Sequence, residues 1–221
     1  MGRRSKARNR TRVFVVQDKS GSMNDRRAET ISGFNEYVDT LDEQAEGEVL
    51  LSLIQFDTTV HNVFVNKSIE DVEDLSPSDF VPGGMTALRD GVGRAISLAE
   101  KSVGEKDKVL VVIMTDGGEN SSREYTHEAI LKQIEGKRKD GWEFVFMGAG
   151  EEAWNAGRLV FGGAIPDAHV LNYSAIDHHD HQRGYSMIAA STVNLTRGGT
   201  SAFDAGQKGR LEDKAKAELR K

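Results

Sequence analysis

The stretch VFVVQDKSGSM, residues 13–23, decides how the fold is read: an unbroken apolar run leads into a carboxylate, and two hydroxyls come after it at alternate positions about a glycine. A short, continuous apolar run is the pattern of a strand buried on both faces, as in a parallel sheet covered by helices. Asp18, Ser20, Gly21 and Ser22 taken alone suit a tight turn or a helix start. Their meaning depends on what else the chain brings to the same strand end.

Working outward, comparable runs recur at VLLSLIQF (49–56), VLVVIM (109–114) and FVFM (144–147), with a weaker HVL at 169–171. Between them apolar residues return at three- and four-residue steps: Ile31, Phe34, Val38 and Leu41; Leu88, Val92, Ile96 and Ala99; Ile130 and Ile134; Trp154 and Leu159. The alternation predicts an α/β fold, a doubly wound, mostly parallel sheet with helices on both faces. QFDTTVHNVFV is too short to hold a helix, so residues 60–65 are expected to form one antiparallel edge strand. Residues 185–195 read as a helix packing back on the sheet. The Gly-rich 196–209 reads as a loop, and the polar 210–221 as a helix that is frayed or awaits a partner.

At 221 residues, with 38% hydrophobic and 29% charged residues, the chain suits one soluble domain with a sizeable core. No apolar run approaches the roughly 20 residues of a membrane helix. Cysteine is absent, which excludes disulfides and thiolate chemistry. The formal charge of −6 is uneven: Arg3, Arg4, Lys6, Arg8, Arg10 and Arg12 stand without an acid in residues 1–12, leaving −12 on the rest. Such a body repels phosphate, so nucleic acid is a poor partner. The basic start has no apolar segment behind it to form a signal peptide, and a cytoplasmic location is expected. The expected division is a disordered basic arm at 1–11, the α/β domain at 12–172, and a partly helical extension at 173–221.

In a doubly wound sheet, ligands bind beyond the carboxyl ends of the strands where the strand order reverses. Three segments should meet there: Asp18, Ser20 and Ser22 after the first strand, Thr86 in PGGMTAL before a helix, and Asp116 in MTDGGEN after the third long run. For any one of them a turn or cap is sufficient explanation, but three converging on one edge are hard to obtain by chance. Two carboxylates and three hydroxyls form a hard, all-oxygen set suited to a small divalent cation, Mg²⁺ foremost, with Mn²⁺ and Ca²⁺ as alternatives. Neutral hydroxyls leave such an ion electron-poor and receptive to an outside carboxylate.

DKSGSM, GGMTAL and TDGGEN, in this order, resemble the metal-ion-dependent adhesion site of a von Willebrand factor A domain, over roughly residues 12–172. The resemblance implies that Ser20, Ser22 and Thr86 contact the metal and that Asp18 and Asp116 hold it directly or through water. It further implies that a Glu or Asp from a protein partner completes the coordination. For stand-alone bacterial or phage-type members it suggests ATPase chaperones or assembly factors as company. Lys19 is expected to point into solvent, with Asp57, Lys19, Met85 and Glu119 forming a rim. Glu119 and Asn120 border the site or cap a helix starting near Glu124.

Two other stretches are weaker. DHHDH (177–181) with His169 offers imidazoles and carboxylates, yet adjacent side chains point apart and a solvated loop is the preferred reading. The glycines of FMGAG are succeeded by Glu151 and Glu152, which would repel phosphate, so a tight turn suffices. The functional expectation is a non-enzymatic, metal-dependent interaction module. The alternatives are a metal-assisted hydrolase or phosphatase, for which no nucleophile–base pair is recognisable, and a scaffold acting through its C-terminal tail.

Overall fold

In the computed structural model, residues 9–150, 155, 161, 163–174 and 178–218 are described. Strand β1 (Arg10–Asp18) is followed by a 3₁₀ turn (Gly21–Arg26) and helix α1 (Arg27–Gln44), then β2 (Glu48–Phe56) and β3 (Val60–Ser68). Helix α2 (Leu88–Ser102), β4 (Lys108–Thr115), α3 (His127–Lys139), β5 (Glu143–Ala149) and β6 (Val170–Tyr173) continue the alternation. Helices α4 (His178–Thr196) and α5 (Ala205–Glu218) close the described chain. The expected helix about Trp154 and Leu159 lies outside the described residues, as do Glu151 and Glu152.

The six strands lie in the order β3-β2-β1-β4-β5-β6, all neighbours parallel except β2 and β3. This is the doubly wound sheet with one antiparallel edge that the apolar runs and the short 57–59 connection predict. The runs are continuous because both faces are covered: Val13 and Val15 face a core with α1 and α4, while Phe14 and Val16 face one with α2 and α3. All four are fully buried. From β1 the chain first winds outward through β2 and β3, then resumes on the other side of β1 at β4. The reversal falls between β1 and β4.

Several local expectations are corrected. β1 takes in Arg10 and Thr11, assigned from sequence to the terminal arm, and Arg10 and Arg12 are paired there with Glu48 and Asp107. The 177–181 stretch is no loop from residue 178 onward: it opens α4, with Asp180 and His181 buried. His181 Nδ1 lies 2.6 Å from the Tyr173 hydroxyl and Nε2 lies 3.1 Å from Thr30 Oγ1, so this imidazole is a satisfied core group. Asp180 pairs with Arg183 and Lys214, and His169 turns instead to Glu143 at the start of β5. The Gly-rich segment is a connection only to Asp204; α5 begins within it and buries Leu211 and Ala215.

Candidate metal centre

Asp18 ends β1, and the strand direction points its carboxyl into the crevice at the β1/β4 reversal. It is fully buried, accepting from the Ser20 N–H at 2.7 Å through Oδ1 and from the Thr115 hydroxyl through Oδ2. The 3₁₀ turn brings Ser22 back over Ser20, with the two Oγ atoms 3.1 Å apart. Ser22 Oγ in turn donates to Asp116 Oδ1 at 2.6 Å, across from the end of β4. A Cβ placed on Gly117 would stand 3.6 Å from both Ser22 Oγ and Thr86 Oγ1. All five predicted donors, Asp18, Ser20, Ser22, Thr86 and Asp116, therefore border one small cleft.

The loops carrying them are tied to one another by main-chain bonds. Gly83 N–H donates to Lys19 O at 2.9 Å and Gly21 N–H to Gly84 O at 3.2 Å, joining the first loop to the second. Thr86 N–H donates to Asn120 Oδ1 at 2.8 Å, and Thr86 O accepts from the N–H groups of Asn120 and Ser121, joining the second to the third. Thr86 is only 4% exposed, and among the described residues its hydroxyl takes no hydrogen-bond partner. Its oxygen is not among the buried polar atoms left unpaired, so it is open to the cleft and available to water or a cation.

Burial is the dominant influence on both carboxyl groups. It pushes Asp18 up to about 6 despite the opposing hydrogen bonds from Thr115 and Ser20, with the nearby Asp116 charge adding to the rise. Asp116 is likewise raised by burial, against Ser22 and Arg26, which favour its ionised form. Two buried carboxylates facing one cleft are under-compensated, and a divalent cation would relieve both. Among the described residues no three acidic, histidine or cysteine side chains converge on one point. The donor set is consistent with that: two carboxylates supplemented by hydroxyls, which suit a hard ion such as Mg²⁺.

The rim departs from expectation. Lys19 is held back by an ion pair, its Nζ 3.4 Å from Asp57 Oδ2, rather than extended into solvent. Glu119 is no rim residue: its carboxylate is buried and accepts from the N–H groups of Arg89, Ser121 and Ser122 and the Ser122 hydroxyl. The segment near Glu124 is capped instead by Asp90, which accepts from three successive N–H groups at 123–125, and α3 starts later, at His127, with Thr126 as its cap. Met85 is half exposed, as expected of a rim residue.

Sequence reading missed Thr115, Gly117 and Arg26, while Asn120, expected to border the site or cap a helix, does border it by accepting from the Thr86 N–H. Thr115 and Gly117 flank Asp116 in MTDGGEN and had a positional signal. Arg26, whose Nη1 lies 3.0 Å from Asp116 Oδ2, had none, because only the 3₁₀ turn brings it there.

Comparison with solved structures settles the architecture. A proximal thread matrix protein 1 from the mussel byssus superposes with TM-score 0.56 and 20% identity over 85% of this chain. The fold is that of a von Willebrand factor A domain. The vWF domain of the type V pili tip protein Mfa5 from Porphyromonas gingivalis superposes on this vWA fold with TM-score 0.61 and 12% identity, covering 85% of this chain and 96% of that one. Another structure of the mussel protein, at TM-score 0.57 and 20% identity over 85% of this chain, is described as having a zinc-occupied MIDAS motif. This vWA-like chain spans less than half the length of the mussel protein, 46% of it in the first structure and 45% in the second. No family model matches the chain, and comparison with curated proteins yields no match.

Proposed function

We propose that this chain is a metal-dependent protein-interaction module whose cleft, with Mg²⁺ bound, grips a Glu or Asp side chain of a protein partner. The observation that carries the reading is the hydroxyl of the mostly buried Thr86, without a partner among the described residues and open to the cleft, near Ser22 Oγ beside Gly117 with two under-compensated carboxylates alongside. Ser20, Ser22 and Thr86 would hold the ion, and Asp18 and Asp116 would bind it or orient its waters. A bound divalent cation supplies one open coordination position for an anionic oxygen. Thr115 and the Ser20 N–H keep Asp18 fixed in direction, and Asn120 fixes the Thr86 loop, so the donors are arranged before any ion arrives.

Met85, next to Thr86, is 50% exposed, and Val81, earlier on the same loop, is 56% exposed. They offer apolar contact around one charged anchor, the usual arrangement of a small recognition surface. Hydrolysis is the less favoured reading: Ser22 already donates to Asp116, and the buried imidazole of His181 is engaged on both nitrogens. Mg²⁺ as the ion, a cytoplasmic setting, and an ATPase chaperone or assembly factor as the partner belong to this proposal.

The test has two parts. Mg²⁺ should raise the thermal midpoint of wild type in a saturable way, by the equivalent of about 2.7 kcal/mol at a hundredfold excess over Kd, and leave Thr86→Ala unmoved. Affinity capture from the source-cell lysate should then retain a partner with wild type in Mg²⁺ and lose it in EDTA and with Thr86→Ala. Equal retention in all three would move the function to another surface.

A further inference from the structure

The two carboxylates of the cleft are held differently. Among the described residues, Asp18 is bound only by neutral donors, the Ser20 N–H and the Thr115 hydroxyl. Asp116 spends Oδ1 on Ser22 and Oδ2 on the guanidinium of Arg26, 3.0 Å away. The pair is largely withdrawn from water, with the carboxylate side chain 3% exposed and the guanidinium 14%. Ser22 and Arg26 sit four residues apart on the same 3₁₀ turn, Gly21–Arg26, and both reach Asp116 from it. The turn that carries the proposed metal donor Ser22 thus also carries a cation to Asp116.

We propose that Arg26 is a built-in counter-cation that competes with the divalent ion for Asp116 and thereby makes metal binding and acidic-ligand binding depend on each other. The inference rests on the metal reading above and concerns how that site is regulated. Arginine stays protonated at any pH the protein experiences, so the competition is permanent. Without metal, the formal charge of Asp18, Asp116 and Arg26 together is −1, and Asp116 is partly neutralised from within. With a divalent ion added and Arg26 still nearby, it becomes +1. The guanidinium therefore opposes the ion by like-charge repulsion and by holding Asp116 Oδ2, and it favours any anion that comes to the loaded cleft. An acidic side chain arriving from a partner removes the excess charge. Metal is held more firmly when that side chain is present, which is a coupling between two ligands and is reciprocal.

A strut role for Arg26, merely positioning Asp116, predicts the opposite effect of its removal, so the two can be told apart. Mg²⁺ affinity should be measured by calorimetry for wild type, Arg26→Gln and Arg26→Lys, each without and with acetate as the carboxylate probe. Arg26→Gln should bind Mg²⁺ at least ~10-fold more tightly than wild type, Arg26→Lys should stay near wild type, and the gain in affinity from acetate should shrink in Arg26→Gln. Equal or weaker Mg²⁺ binding by Arg26→Gln overturns the inference and leaves the metal site standing. Failure of both wild type and Arg26→Gln to bind Mg²⁺ at millimolar concentration overturns the metal reading and this inference with it. Should Arg26→Gln fail to fold, the Arg26 Nε–H resonance of wild type, assigned by its loss in Arg26→Lys, decides instead. It should shift in step with Mg²⁺ occupancy, and a stationary resonance in metal-loaded protein overturns the proposal.

Discussion

At Asp18, burial and hydrogen bonding pull the carboxyl in opposite directions, and burial prevails, raising it from its ordinary 3.8 to about 6. A raised carboxyl destabilises the fold in its ionised form. The penalty is absent below the unfolded value near 3.8, grows as pH rises toward 6, and is complete above that. The metal-free protein is therefore expected to gain stability as pH falls from 7 toward 5, read as a rising thermal midpoint in EDTA. Asp18→Asn should flatten that trend and stabilise the metal-free protein at pH 7 by up to about 3 kcal/mol, while abolishing stabilisation by Mg²⁺. A variant that lost stability in EDTA across this range would show that Asp18 is structural first. Asp18 was legible in the sequence because it stands where an apolar run stops. Its burial was not, since that depends on Thr115 and on the neighbouring loops closing over it.

Among the elements, the contact of α1 with α4 turns on one small residue. Gly33 of α1 lies under the ring of Tyr185, so close that an added Cβ would fall 2.3 Å from a ring carbon. Tyr185 is fully buried and its hydroxyl accepts from Gln17 Nε2 at 3.2 Å, so the ring has little freedom to retreat. Gly33→Ala should cost about 1–3 kcal/mol in denaturant unfolding, and combining it with Tyr185→Leu should restore part of the loss. Additive losses in the double variant would place the strain elsewhere. The periodicity of Ile31, Phe34, Val38 and Leu41 made α1 visible, and residues 185–195, the body of α4, were read as a helix packing back on the sheet. The first turns of α4 were hidden because Asp180 and His181 are polar by type and buried only through partners distant in sequence: Lys214, Thr30 and, from β6, Tyr173.

For the molecule as a whole, the segment after α4 is part of the core rather than an appendage. Ser201 and Phe203 are buried, and Glu143 at the start of β5 accepts from the Ser201 N–H and from the hydroxyls of Ser201 and Thr200. Burial would raise the Glu143 carboxyl, but His169, Ser201 and Thr200 outweigh it and hold it at about 2. Its contribution to stability is present above the ordinary value of 4.5 and is lost as pH falls from there toward 2. Deleting residues 200–221 should therefore lower the denaturation midpoint and weaken the acid loss that Glu143 provides between those limits. Such a truncation tests the fold more than any scaffold role of the tail. Arg210→Ala, on the exposed side of α5, is the cleaner probe of that alternative and should leave stability unchanged. A truncated chain as stable as wild type would show that these buried contacts contribute little.

The sequence by itself determined the alternation of strands and helices, the antiparallel edge, and the placing of Asp18, Ser20, Ser22, Thr86 and Asp116 at the ends of apolar runs or the start of a helix. Those features are written in local periodicity and in the residues that terminate each apolar run. Only the tertiary structure decided that Lys19 turns to Asp57, that Glu119 is a buried brace, that His181 is a core group, and that Arg26 stands against Asp116. Each of those depends on which distant backbone groups and charges the packed loops bring within hydrogen-bonding reach, and no spacing along the chain encodes that distance.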